Sequence, residues 1–288
     1  YLYMNFKKFI GYDIIQFINP FSLPYYFYYF GIPQLLFLLN KKCVYYTCGT
    51  DPAFIESENK FEYFPFDDKL SLEYPRYSRF ELYYYNWFIR KIDLIIPSMY
   101  TYAVGYWDNP KLSLPIPLPG SGVYVNKTNS LNKKVKVLFG ITRRGFKGAS
   151  YILEALAKIE SKYSDFLVVN IVEKLTFHEY EKIISEADIL IDQCKSYDYG
   201  MNAVFALEKG LIVLSGNEPV SSDFLKISDN NIINIKPNSV FIKKILEDLI
   251  ERKNRDELQN MKIKSVLQAQ KYHEPKKVAK LFILSYNH

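Results

Sequence analysis

The sequence is poor in the residues that most metal and disulfide chemistry needs. Its three cysteines, Cys43, Cys48 and Cys194, are odd in number and lack metal-ligand spacing, which argues against a disulfide framework and a zinc site. A reducing, cytoplasmic setting is the simplest one, and no secretory signal is visible. No histidine precedes His178, and no Ser-His-Asp triad or metal cage can be assembled, so no metal is expected. There is no Gly-x-Gly-x-x-Gly turn and no Walker A loop, which removes the usual nicotinamide and P-loop signatures. Lys and Arg form no run, and the net charge of +6 is mild. This fits an anionic ligand or membrane surface and argues against nucleic acid as a partner. No charge occurs from Ile14 to Asn40, a stretch long enough to span a bilayer. Pro20, Pro24 and Pro33 interrupt it, and Tyr25, Tyr26, Tyr28 and Tyr29 add polar groups. A buried strand followed by a hydrophobic helix is therefore expected. With Lys7, Lys8, Lys41 and Lys42 flanking it, the stretch around Phe21 to Phe37 could rest on the anionic inner leaflet as a peripheral contact.

What is abundant is aromatic side chain, 17% of residues, set in an alternation of short apolar runs and amphipathic stretches. Tyr12–Phe17, Cys43–Cys48 and Asp93–Pro97 read as buried parallel strands, with a helix from about Arg76 to Lys91 before the third. The Pro- and Gly-rich Ser113–Val123 and the polar stretch after it shift the composition, as a linker does. Beyond it, strands are expected at Val135–Gly140, Phe166–Val172, Asp188–Asp192, Leu211–Leu214 and Asn231–Ile235. Helices are expected at Lys147–Lys162, at Phe177–Glu186 with a Thr176/Glu179 capping box, and at Asn202–Lys209, closed by Gly210. Val240–Tyr286 reads as helical with a break near Pro275. The division expected is 1–125, linker 126–134, 135–274 and a final helix 275–288 that returns to the first domain. This pattern predicts an α/β chain of two Rossmann-like, doubly wound domains with parallel sheets, whose ligands lie at the carboxyl ends of the strands.

The sharpest chemical signal is Gly140-Ile-Thr-Arg-Arg-Gly-Phe-Lys-Gly148, between a strand and a helix. A helix N-terminus offers unpaired N–H groups. Arg143, Arg144 and Lys147 add positive charge there, and Gly145 and Gly148 permit close backbone approach. The set suits a diphosphate; a solvated basic turn with glycines as bends fits the same residues.

The segments VLFGITRRGFKGASYILEALAKI, HEYEKIISEADILIDQ and YGMNAVFALEKGLIVL resemble the C-terminal domain of family 4 (group 1) GT-B glycosyltransferases over about Val135 to Leu214. The resemblance implies that Arg144 and Lys147 hold a donor diphosphate. It also implies that Tyr199-Gly200-Met201-Asn202 approaches donor sugar and phosphate through backbone N–H groups. Asp192, ending a strand, either faces the donor or is a turn residue. The first part is similar to the family's acceptor domain, with Gly49 and Asp51 on the acceptor side; an Asx-type turn is the other reading of Asp51. The family's opening strand and Gly-rich loop would precede Tyr1, which implies a truncated first domain.

Two positions depart from the family pattern. Its spaced pair of glutamates, the second a ribose ligand, falls on Tyr197 and Phe205; Glu208, one turn on, either replaces that ligand or is a solvated helix-end residue. The family's donor-side histidine falls on Cys48. For His178 a surface or capping place is expected. What the resemblance implies overall is a retaining, metal-independent, hexosyl-type transferase. It would move a sugar from a nucleotide-diphosphate sugar, as substrate rather than cofactor, to a glycan or lipid-linked acceptor in polysaccharide or surface-glycan biosynthesis. The alternative is a non-catalytic nucleotide-sugar-binding module partnering an active transferase.

Overall fold

The computed structural model describes residues 10–21, 28, 31–125, 134–251 and 254–287. Lys7, Lys8, part of the apolar stretch and most of the 126–134 linker lie outside them. The chain falls into two compact units, one formed by residues 1–60, 75–116 and 281–288, the other by 61–74 and 117–280. The change of unit comes at 116/117, inside the Pro-rich stretch and ahead of position 125. Residues 61–74 leave the first part of the chain to join the second unit.

The first unit holds a parallel sheet of β1 (Ile14–Phe17), β2 (Lys42–Thr47) and β3 (Leu94–Pro97), in that order. β2 is central and buried from Cys43 to Thr47, which is why its apolar run does not alternate. The helices are α1 (Ile32–Leu39), α2 (Pro52–Glu56), α3 (Arg79–Lys91) and α4 (Tyr100–Val104). α3 starts at a capping box in which Ser78 Oγ accepts from Glu81 N and Glu81 Oε2 accepts from Ser78 N. The aromatic excess is spent on this unit's core. Phe88 is fully buried, with the rings of Phe17, Phe37 and Tyr45 set edge-on at 5.2, 5.8 and 5.4 Å, the geometry aromatic quadrupoles favour. On α1, Leu36 is buried while Leu35, Leu38 and Leu39 are exposed. Among the described residues, no helix is long and apolar enough to cross a membrane.

The second unit has five parallel strands, β4 (Val135–Ile141), β5 (Leu167–Glu173), β6 (Ile189–Ile191), β7 (Ile212–Ser215) and β8 (Ile233–Asn234), ordered β5-β4-β6-β7-β8. Between them run α5 (Arg144–Lys147), α6 (Ala149–Tyr163), α7 (Phe177–Glu186), α8 (Met201–Glu208) and α9 (Pro219–Phe224). After β8 come α10 (Ser239–Glu251) and α11 (Arg255–Tyr272), then α12 (Pro275–Tyr286), whose residues from 281 on belong to the first unit. Alternate strand residues face opposite sides. Val137, Phe139, Ile191 and Leu214 pack with α6 (Ile152, Leu156) and α10 (Ile242, Leu246) in one core, while α8 and α11 pack against β7.

The helix expected from Lys147 starts two residues later. Gly148, at φ +70°, interrupts it, and Arg144–Lys147 forms a separate turn. The helical region after Val240 has an additional break, where Asn254 Oδ1 accepts from Glu257 N and opens α11. The helices α2, α4 and α9 were not expected. For α2 the start signal was present, since Asp51 caps it and Pro52 opens it.

One buried ion pair ties α11 to the sheet. Lys262 Nζ lies 2.7 Å from Asp188 Oδ1, both side chains are under a tenth exposed, and Asp188 Oδ2 also accepts from Lys136 N. Lys262→Ala would leave a buried carboxylate unpaired, and urea melts should register a loss of about 3–5 kcal/mol. A loss under about 1 kcal/mol, as for an exposed pair, would contradict this assignment.

Candidate functional site

In a doubly wound sheet the ligand crevice opens where the strand order reverses. Here that is between the carboxyl ends of β4 and β6. The turn after β4 supplies Lys147, and Asp192 follows β6 directly. Both are buried, 7% and 1% exposed, and their charged atoms are 2.8 Å apart. Lys147 Nζ also donates to Gly140 O at 3.0 Å. Asp192 Oδ1 further accepts from Asn202 Nδ2 at 3.0 Å, and Ser215 Oγ lies 3.5 Å from Oδ2. Asn202 is fixed in turn by Tyr180 OH, which donates to its Oδ1. Burial alone would raise the Asp192 carboxyl. The Lys147 charge, the side-chain bonds and the Gly200 backbone N–H outweigh it and hold the group below its usual range. Lys147, Asp192, Gly200 and Asn202 therefore meet at one point, as a positively disposed helix start and a lysine gathered around an anion.

The arginines of the preceding turn and its Phe146 N–H are also engaged. Arg144 forms a two-pronged bond to Glu173, with Nε at 3.2 Å and Nη2 at 2.7 Å. The Arg143 guanidinium lies 3.7 Å over the Phe146 ring. The Phe146 N–H donates to Glu73 Oε2 at 2.9 Å. Gly145 is where Glu73 approaches, since a Cβ there would come within 3.0 Å of its Oε2. At Gly148 a Cβ would meet Cys194 Sγ at 2.5 Å, so this glycine makes room for the loop that follows β6. Met201 opens α8 and is half exposed.

Glu208 is not a solvated helix-end residue. It is fully buried, accepting from Ser121 Oγ at 2.7 Å and Gly122 N at 2.8 Å. A side chain at Gly120 would strike its carboxylate. Tyr199 is buried with it, its hydroxyl 3.2 Å from His273 Nε2, while His273 Nδ1 bonds Leu118 O at 2.7 Å. The consistent tautomer has Nδ1–H donating to the carbonyl and Nε2 accepting from the tyrosine. Glu208, Tyr199 and His273 thus hold residues 118–122, and both carboxylate oxygens of Glu208 are engaged by that segment. Sequence reasoning passed over His273, whose one cue was its place just before the helix opened by Pro275. At the two glutamate positions, Tyr197 OH accepts from Glu62 N at 3.0 Å, and Phe205 packs on Phe177 and under Lys209 Nζ. His178 is exposed on α7, whose cap is the expected Thr176/Glu179 box.

In the first unit, Gly49 adopts φ +85° after β2. Asp51 is the N-cap of α2. Its Oδ1 accepts from Phe54 N at 2.8 Å, and its Oδ2 accepts from Tyr45 and Tyr106 hydroxyls at 2.6 and 2.8 Å. Its carboxylate is buried and engaged within its own unit, so the turn reading is the one the geometry fits. Cys48 Sγ lies 3.7 Å from Ile18 O, and burial, with Asp51 nearby, pushes its thiol up to about 11. Thr47 Oγ1 is buried at the end of β2 with no partner among the described residues. Tyr84 and Tyr85 are core, whereas Tyr83 is exposed. Among the described residues, no group of three or more His, Cys, Asp or Glu could hold a metal ion.

Burial pushes the His273 imidazole down from 6.5, only partly opposed by its bond to Leu118 O and by Glu208. A base whose folded pKa is depressed stabilises the fold above its unfolded pKa and loses that contribution as pH falls below it. Unfolding free energy measured in urea should therefore decline as pH falls below 6.5, and His273→Gln should flatten that slope. An equal slope in the variant would place the titration elsewhere.

No family model matches this chain, and neither does any curated protein sequence. Solved structures do resemble it. Sucrose-phosphate synthase from Thermosynechococcus elongatus superposes with a TM-score of 0.66 at 13% identity, over 99% of this chain and 75% of that one. Anabaena HepE, solved with UDP-glucose, gives 0.59 at 11% identity over 94% of this chain and 78% of that one. S. aureus TarM, solved with UDP, α-GlcNAc-glycerol and fondaparinux, gives 0.62 at 12% identity over 100% of this chain but only 58% of that one. At such identities the likeness speaks for the fold. The chain has the α/β GT-B glycosyltransferase fold.

Proposed function

We propose that the second unit binds a nucleotide-diphosphate sugar at the crevice between β4 and β6, and that the chain acts in glycosyl transfer from that donor. The observation that carries this reading is the convergence of Lys147, Gly200 and Asn202 on Asp192 at the strand-order reversal. The neighbours solved with UDP or UDP-glucose support it. The chemical task in such a transfer is to stabilise the departing diphosphate. Lys147 Nζ has three donors; Gly140 O and Asp192 take two, leaving one for a phosphate oxygen. Arg144, half exposed, can exchange Glu173 for phosphate. Arg143 and the backbone at Gly145, Gly200 and Met201 complete the donor side. Gly49 stays the proposed acceptor-side contact. We propose a retaining, hexosyl-type transfer needing no metal, with a glycan or lipid-linked acceptor in surface-glycan synthesis. The exposed Leu35, Leu38 and Leu39 beside Lys41 support a peripheral, inner-leaflet location, to be checked by flotation on anionic liposomes.

The second reading, a non-catalytic nucleotide-sugar-binding module, is favoured by one observation: carboxylates of the chain itself already hold Arg144, Lys147 and the Phe146 N–H. Such a protein would still bind donor but would not turn it over.

A thermal-shift scan with UDP, GDP, ADP, CMP and their sugar conjugates tests the binding common to both. Ligand at about a hundred times its Kd adds roughly 2.7 kcal/mol, and a chain of this size gains about 2–4 °C per kcal/mol. One nucleotide should raise the midpoint. Arg144→Ala, at an exposed position, should weaken that shift without disturbing the fold, and Lys147→Ala should abolish it. Cooperative melting with no shift from any ligand would refute the reading, and a transfer assay then separates enzyme from module.

A further inference from the structure

Residues 61–74 lie between two segments of the first unit in sequence yet fold onto the second. They run along the carboxyl edge of its sheet and touch the loops after β4, β6 and β7. The Tyr63 hydroxyl donates to Glu218 Oε1 at 2.5 Å after β7. The Phe61 and Tyr63 rings sit 5.1 and 4.8 Å from Tyr197 after β6. Asp67 pairs with Lys195 at 2.6 Å. Phe66 is buried against Phe146 at 5.2 Å, and Glu73 takes the Phe146 N–H. The segment carries Glu62, Asp67, Asp68 and Glu73 against a single Lys69, and the turn it meets carries Arg143, Arg144 and Lys147. An acidic strap is laid on the basic edge, with one carboxylate on a backbone N–H where a phosphate oxygen would bind.

We propose that residues 61–74 form an autoinhibitory strap, in which the Glu73 carboxylate takes the place of a donor phosphate, so that strap docking and diphosphate binding exclude one another. This rests on the donor reading above. Carboxylate and phosphate compete for the same N–H and the same positive field. The strap is internal to the chain, so its effective concentration is high and a donor must displace it. Its aromatic contacts at Tyr197 and Phe146 set how strongly it is held. Both of its ends run directly into the first unit in sequence.

The test is calorimetry of the full chain with inorganic pyrophosphate and with UDP, comparing wild type, Glu73→Gln and Tyr63→Phe. Hydrogen exchange across residues 143–147 and 61–74 serves as the independent readout of strap release. Both variants should exchange faster there and bind both probes about tenfold more tightly, equivalent to about 1.4 kcal/mol. Faster exchange with affinity equal to wild type would overturn the strap as a competitor while leaving the donor reading intact. Faster exchange with no binding of either probe, or of any nucleotide, by any of the three proteins would overturn the donor reading and the strap's role with it.

Discussion

A charge buried at the end of a parallel sheet must be paired, and in this chain that requirement organises the second unit's edge. Asp192 is buried at the carboxyl end of β6, where water cannot stabilise it, and an unpaired buried carboxylate there would cost several kcal/mol. Lys147 answers it from the turn after β4, the Gly200 N–H and Asn202 from the start of α8, and Tyr180 steadies Asn202 from α7. One carboxylate thereby fixes the turn after β4 against both ends of the loop between β6 and α8. These are the loops a diphosphate would meet at the strand-order reversal, so the constraint that holds the fold together there also arranges the proposed site. Lys147 is consequently both a structural and a candidate functional residue, and its removal acts on both.

The same economy of charge runs through the rest of the edge. Glu173 on Arg144, Asp67 on Lys195 and Glu73 on the Phe146 N–H neutralise what would otherwise be an open anion trap. On the other side of α8, Glu208 is spent on Ser121 and Gly122, and His273 ties Leu118 to Tyr199. The groups proposed to take a donor are therefore already paired within the chain.

Most of the architecture was legible because the strands of the second unit are short, mostly apolar runs, such as β6 between Asp188 and Asp192, and because capping signals such as Thr176/Glu179 act locally. The turn Gly140–Gly148 also announced itself through its own residues. What could not be read were relations between residues far apart in the chain. Nothing local marks Glu73 as the partner of Phe146, seventy-three positions away, or Glu208 as the holder of residues 121–122. Asp51 could be read either way, because an N-cap and a surface contact both favour aspartate after glycine; the tyrosines that settle it come from β2 and from beyond α4. Gly145 and Gly148 were read alike as ligand-approach glycines, yet one faces Glu73 and the other makes room for Cys194, a difference set by tertiary neighbours.

Whether the β4/β6 crevice takes a nucleotide diphosphate at Lys147 is read most directly from a crystal structure of the chain grown with saturating UDP. The diphosphate should lie within hydrogen-bonding distance of Lys147 Nζ and the Phe146 N–H, with Glu73 displaced. UDP bound elsewhere, with Glu73 still on the Phe146 N–H and Lys147 unapproached, would contradict it.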